Sequence, residues 1–447
     1  MPERNADRIQ LYAENPMYWQ YRGKPVLLLG GSSEDNLFQV PDVEAELDRL
    51  AEAGGNYVRC TMSSRDEDDV WPFAKDEETG LYDLTRPEGE YWQKFQRFLD
   101  LTLDRDIILQ IEVFDRFDYA REPWLDNPYN PVNNINYTAG ESGLAEKYRL
   151  HPSKRENGFF RSVPALENNI TLLPHQRTFV DKLLSLTLER PNVLYCISNE
   201  TNESSEWGAY WCGYIRSAAA EKKVGVEVTE MWDVHDILHE MHEATWGHPE
   251  LYSFCDISQG NHQPASKHWE GMLGFREMIA GSARPRPLNT VKIYGCNSYR
   301  YGTTRDAQER FWRNIFAGLA GTRFHRPPAG IGSSDRAMAN IRSMRMITDE
   351  MDIPACLPRP DLLGNASYNE AYCFANPPRQ YGVFFPDGGD VMLDVSAAGG
   401  REMTVRWLDI LESRWVTSQS FVPEQSTMRL ATPTDSGYWA ALVTSEM

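Results

Sequence analysis

The sequence predicts an α/β protein, a (β/α)8 TIM barrel followed by a small C-terminal β-sandwich. Three observations carry the prediction. Apolar strand-like runs alternate with amphipathic helix-like segments, eight of each, within about the first 350 residues, and so many β–α units in succession point to a barrel. Polar and charged residues stand at the C-terminal end of nearly every predicted strand, the edge at which barrels gather their chemistry. Beyond Asp352-Ile353-Pro354 the helical segments stop, and short runs broken by Gly and Pro turns take over, as in an all-β unit. The expected division is residues 1–352 as barrel with an N-terminal hairpin and residues 353–447 as β-sandwich.

The elements follow in order. Gln10–Tyr21 with Gly23-Lys24 reads as a short hairpin placed to plug the bottom of the barrel. Val26–Gly30 is the first strand, and the helix Asp42–Ala53 after it stops at Gly54-Gly55, a helix C-terminus by composition. Asn56–Cys60, Ile107–Phe114 and Asn192–Ser198 are the second to fourth strands, with helices at Tyr91–Leu103, Pro174–Glu189 and Trp207–Lys222. Gly225–Glu230, Leu251–Ile257, Leu288–Ile293 and Thr322–His325 are the fifth to eighth strands. Their helices are His235–Ala244, Trp269–Ile279, Arg305–Leu319 and Asp335–Asp349. An open doubly wound sheet would more often show a phosphate-cradling glycine fingerprint, and Gly30-Gly31-Ser32-Ser33 lacks the spacing. Two connections are long, Thr61–Glu88 and Asp115–Leu173. Both leave strand C-termini and are rich in aromatic residues, so they are expected to wall a cleft. In the C-terminal part, strands are expected at Ala371–Ala375, Gln380–Phe385, Val391–Asp394, Met403–Asp409, Arg414–Ser418, Ser426–Arg429 and Tyr438–Thr444.

Composition excludes several functions. Lys plus Arg is 45 against 65 for Asp plus Glu, a formal charge of −20, and that field repels phosphate. It argues against nucleic acid or an anionic membrane as partner, while leaving room for a local basic pocket. The seven cysteines form no C-x-x-C pair, which suits reduced thiols rather than a disulfide framework. Residues 1–20 hold no apolar leader core and no stretch reaches membrane-span length. A chain beginning here is expected in the cytoplasm, and a secreted or periplasmic one would need a leader ahead of it. The sequence leaves the oligomeric state open. Thirteen Trp and 21 Tyr supply flat faces for sugar rings, although most belong to the core.

The chemistry centres on Asn199-Glu200, at the end of the apolar run Val193–Ile197. A carboxyl among apolar neighbours can hold a proton at neutral pH and act as a general acid, and an Asn beside it can bind a substrate hydroxyl. Other strand ends offer Glu112, Glu230, Trp232, Asp256, His262, Lys292, Tyr294, Arg323 and His325. Each alone could be a hydrogen-bonded rim residue. Together they suit an enzyme acting on a carbohydrate, with Trp71, Trp124, Trp232 and Tyr294 as stacking surfaces and no cofactor or metal required. His235, His239 and His242 share one face of their predicted helix, but they form no H-E-x-x-H motif.

Asn15-Pro16-Met17-Tyr18-Trp19, Gly23–Gly30, Ser198-Asn199-Glu200, Gly318–Gly321 and Ser436–Val443 together resemble the apiosidase-like glycoside hydrolases, within the large retaining clan of (β/α)8 glycosidases. The resemblance implies Glu200 as acid/base, Asn199 as ligand of a sugar 2-hydroxyl, and a small C-terminal β-domain. It also implies a nucleophilic Glu ending the seventh strand, where this chain carries Lys292. Three accounts follow. Another carboxylate serves, with Glu230 first, then Asp256 and Glu112. Or the site takes an anionic sugar, a uronate or sulfated residue, against Lys292, Arg323, His325 and Arg326. Or the chain is a non-catalytic glycan-binding pseudo-glycosidase. Lys292 could also serve simply as an ion-pair partner of Glu200 or Glu230, depressing that carboxyl's pKa and opposing acid work. A lyase using Lys292 as base is a more distant alternative.

Overall fold

The computed structural model describes residues 7–297, 300–423 and 425–445. Eight parallel strands form one sheet: β1 (Leu28–Gly31), β2 (Tyr57–Thr61), β3 (Ile108–Asp115), β4 (Val193–Asn199), β5 (Glu227–Thr229), β6 (Cys255–Asp256), β7 (Leu288–Ile293) and β8 (Gly321–Phe324). Their spatial order is β5-β4-β3-β2-β1-β8-β7-β6, so chain neighbours are sheet neighbours and β8 returns to β1. The seam between β5 and β6 is closed by one backbone bond, Ser253 N to Val228 O at 2.9 Å, and by the Thr229 hydroxyl donating to Phe254 O at 2.8 Å. Strands β1 to β4, β7 and β8 are buried at every position, as expected of a sheet covered on both faces.

The long helices of the outer layer are α1 (Val43–Glu52), α2 (Gly89–Asp104), α3 (Leu173–Thr187), α4 (Ser205–Glu221), α5 (Ala265–Ala280), α6 (Thr304–Phe316) and α7 (Asp335–Thr348). Several begin with side-chain caps. The clearest is Thr303, whose hydroxyl accepts from the Asp306 N–H while Asp306 returns a bond to the Thr303 N–H. The helix expected over His235–Ala244 does not form. That stretch is irregular until a 3-10 turn at Glu240–His242 and a short helix at Glu243–Trp246, and the buried His242 ring binds the Val234 carbonyl at 3.0 Å. The fifth and sixth strands are also shorter than their apolar runs suggest, because side chains rather than a backbone ladder join them.

The bottom of the barrel is plugged by the N-terminal sheet of Gln10–Leu11, Trp19–Tyr21 and Lys24–Val26. Fully buried Trp19 packs edge-on against Phe254 and donates to Asn289 Oδ1 at 2.9 Å. Asn289 in turn donates to the Tyr57 hydroxyl.

C-terminal to the barrel, six strands pair antiparallel in the order Leu357–Pro358, Tyr372–Asn376, Gln380–Phe385, Trp439–Ser445, Met403–Asp409, Arg414–Phe421. A second sheet joins Leu363–Gly364, Asp390–Asp394 and Thr427–Ala431. Strand alternation divides the side chains. Val383, Phe385, Val405 and Val443 face the second sheet's Val391, Leu393 and Leu430. Phe374, Phe384, Leu408 and Leu442 join the barrel core, where Phe384 stacks on Trp312 of α6 at 5.1 Å between ring centroids. Among the described residues no helix is long and apolar enough to cross a membrane.

Candidate active site

A cleft of about 580 Å³ opens at the C-terminal ends of the barrel strands. Its floor carries Asn199 and Glu200 from β4, Lys292 and Tyr294 from β7 and His325 after β8. Its walls come from the two long connections, through Arg65 of the first and Arg116, Phe117, Arg121 and His151 of the second. His262, Asp233 and Tyr301 complete the opposite side.

Glu200 stands just past the last residue of β4 with φ +55°, a left-handed conformation that a side chain with a Cβ seldom adopts and that functional sites often retain. Its Oε1 accepts from Lys292 Nζ at 2.5 Å and from the Tyr294 hydroxyl at 2.9 Å, and its Oε2 lies 3.9 Å from Arg116 Nη2. Lys292 Nζ also donates to Asn199 Oδ1. Burial alone would raise the Glu200 carboxyl, but Lys292 and Arg116 outweigh it and hold the group far below the usual glutamate range. The sequence reading of Glu200 as a carboxyl kept protonated by apolar surroundings is therefore corrected: it is an ionised partner of Lys292.

The expected second carboxylates do not reach the cleft. Glu230 is turned outward against α4, so a Cβ added to Gly208 would meet its Oε2 at 2.8 Å. It accepts from the Ser198 and Met231 N–H groups at 2.8 and 3.1 Å, and burial pushes it up to about 8. Asp256 points into the barrel, held by Gln110 at 2.7 Å and by the Ser258 N–H at 2.9 Å. Glu112 lies inside the barrel on Arg59, at 2.7 Å. Burial raises both carboxyls.

Other expected binding residues also sort by location. Arg323 is fully buried below the floor, donating to Val291 O at 2.7 Å and to Ser32. Trp124 is buried in its own loop with its indole N–H on Ala145 O, and Trp232 is buried with its indole on Thr245. Neither presents a face to the cleft. Trp71 lines an adjoining groove of about 400 Å³ with Lys75 and Tyr82, which shares Arg65, Glu122 and Pro123 with the main cleft. His262 and His325 do line the cleft, but burial lowers both, His262 to about 3, so neither supplies positive charge at neutral pH. His262 stacks face to face on His235 at 3.8 Å and lies 4.0 Å from the Tyr294 ring.

The cationic side chains facing the cleft are Arg65, Arg116, Arg121, Lys292, Arg300 and Arg326, against the carboxylates Asp35, Glu122, Glu200 and Asp233. In a chain of formal charge −20 this is a local reversal of sign. Asp35 is ringed by Arg59, Arg65, Arg326 and His325. Burial opposes its charge, but the arginines, Arg59 first, hold its carboxyl well below the usual range. Arg116 binds Asp233 and donates to Asn202 Oδ1 at 2.9 Å. Arg116 and Asp233 stand among the polar groups that the third and fifth strand ends offer in the sequence, without a particular role, whereas Arg65 does not figure there. The only signal there was their place directly after strand ends or at the root of a long connection.

Among solved structures, the whole chain is similar to a glycoside hydrolase family 5 protein from Bacteroides vulgatus. The TM-score is 0.64 at 12% identity, covering 98% of this chain and 93% of that one. It is also similar to a protein described as a glycoside hydrolase, with TM-score 0.65 at 10% identity, covering 99% of this chain and 97% of that one. The fold is thus a (β/α)8 barrel with added antiparallel sheets, and at such identities the likeness concerns the fold alone. No family model matches the chain, and no curated protein matches it.

Proposed function

We propose that this chain hydrolyses a glycosidic bond in an oligosaccharide or polysaccharide fragment bearing an anionic sugar, with Glu200 as general acid/base. The observation that carries the reading is Glu200 itself, a strained carboxylate at the end of β4, at the floor of a basic cleft in an acidic protein. The resemblance to the apiosidase-like hydrolases belongs with this reading, as does the glycoside hydrolase fold.

The ion pair between Lys292 and Glu200 makes the sugar's charge part of the chemistry. With Lys292 and Arg116 beside it, Glu200 has no proton to give. A carboxylate or sulfate on the sugar competes for those two cations and adds negative charge nearby, and both effects raise the proton affinity of Glu200. A neutral sugar leaves the ion pair intact. The expected pattern is turnover of uronides with far slower turnover of neutral analogues.

The test is a panel of α- and β-4-nitrophenyl glycosides, glucuronides and galacturonides, together with uronate-containing oligosaccharides, given to wild type and Glu200→Gln. Hydrolysis by wild type that falls by about 10²–10⁴-fold in the variant on natural oligosaccharides supports the reading. An unsaturated product absorbing in the ultraviolet would replace it with elimination, using Lys292 as base. The satisfied ion pair also favours a second reading, a glycan-binding protein without turnover. Uronate binding with no product from either protein supports that alternative.

A further inference from the structure

The cleft offers four carboxylates, and their surroundings separate them. Asp35 is ringed by three arginines and His325. Glu122 lies on the wall shared with the Trp71 groove. Asp233, just beyond β5, lines the cleft, keeps 20% of its side chain accessible and pairs with one cation, Arg116. The same Arg116 nitrogen, Nη2, lies 3.9 Å from Glu200 Oε2. Two carboxylates that share one nitrogen cannot be far apart. The two legs meeting at Nη2 keep their nearest oxygens within about 7 Å of each other. That bound admits a retaining pair of glycosidase carboxylates, at about 5–5.5 Å, and leaves most of the inverting range, about 6.5–9.5 Å, beyond it.

Resting on the hydrolase reading of Glu200, we infer that Asp233 is the catalytic nucleophile, brought from the fifth strand because Lys292 holds the seventh. In the first step an Asp233 oxygen attacks the anomeric carbon and forms a glycosyl ester. The bond to the leaving oxygen breaks, and that oxygen takes the proton of Glu200. In the second step Glu200 removes a proton from water, the water oxygen bonds the anomeric carbon, and the Asp233 carboxylate departs. Arg116 neutralises Asp233 between turnovers, and the substrate anion draws it off.

The experiment uses the full chain and the uronides of the panel above. Asp233→Asn is expected to lose at least about 10³-fold on 4-nitrophenyl uronides with an unchanged melting temperature, whereas Glu200→Gln loses far less on these substrates, because nitrophenolate leaves without a proton. A 2,4-dinitrophenyl 2-deoxy-2-fluoro-uronide should inactivate wild type and add one glycosyl unit to the peptide containing Asp233, as read by mass spectrometry. A structural role for Asp233 would leave that label elsewhere. Proton NMR of the first-formed product should show the anomeric configuration of the substrate. Wild-type turnover with inversion, with the label on another residue, or with activity kept in Asp233→Asn overturns the assignment and leaves the hydrolase reading standing. Absence of turnover in wild type overturns both.

Discussion

Glu200 and Glu230 follow neighbouring strands, the first with 13% of its side chain open to the cleft and the second buried, and their proton affinities diverge. Burial opposes the charge of each. Lys292 and Arg116 reverse the effect at Glu200, while Glu230 has only neutral donors, the Ser198 and Met231 N–H groups and the Ser198 hydroxyl, and rises to about 8. The two should respond oppositely to pH. The folded Glu230 holds its proton while the unfolded one loses it from the ordinary value of 4.5 upward. Its stability penalty therefore grows as pH climbs from 4.5 towards 8 and is constant above, amounting to a few kcal/mol. Glu230→Gln is expected to stabilise the chain at about pH 8 and change little near pH 5, as measured by urea unfolding. Glu200 contributes stability above the ordinary value of 4.5 and loses it as pH falls below. Lys292→Met leaves that carboxylate with the longer Arg116 contact and the Tyr294 hydroxyl alone, so a loss of about 1–3 kcal/mol at neutral pH is expected, shrinking in acid. At this scale the sequence placed Asn199, Glu200, His262, Lys292, Tyr294 and His325 at the cleft. It misplaced Glu112, Glu230, Asp256 and Arg323 because strand-end position alone does not tell whether a side chain turns into the cleft, into the barrel or out toward a helix. Trp124, in the short helix Arg121–Asp126, and Trp232 miss the cleft for another reason, since the connections after β3 and β5 bury their own aromatics.

Strand β7 forms over the same residues as its apolar run, and Gln380–Phe385 and Met403–Asp409 do likewise. Buried, β-branched runs with polar ends leave little freedom. Strands β5 and β6 were read too long because apolar residues that pack beneath loops look the same in sequence as those in a ladder. The β1–β2 contact depends on a missing side chain. A Cβ on Gly30 would lie 1.7 Å from the Tyr57 carbonyl oxygen, and backbone in a closed sheet cannot retreat. Gly30→Ala is expected to cost more than the usual overpacking loss of about 1–3 kcal/mol and to lower the melting temperature sharply or leave the chain insoluble.

The barrel and the C-terminal sheets share apolar residues: Trp312 and Phe316 of α6 meet Phe374 and Phe384 across one core. We propose that the division near residue 352 is one of architecture and not of folding. Ending the chain at Asp352 is expected to expose those α6 aromatics and yield aggregated protein that binds a hydrophobic dye, while the full chain should melt in one transition. Sequence pattern showed two architectures but not their shared core, because the outward face of the large sheet alternates like any other. The whole-molecule charge carries a further expectation. On the proposed reading a uronate approaches an acidic surface to reach a basic floor, so moderate salt is expected to slow neither its association nor its capture as steeply as in a uniformly basic protein. Trp19 gives the cleft a final property. With its indole fastened to Asn289, the far end of the cylinder is sealed. Everything that enters must leave by the same door, and on the proposed hydrolysis the fragment lying nearer solvent departs first, while the one left behind bars the next arrival until it goes.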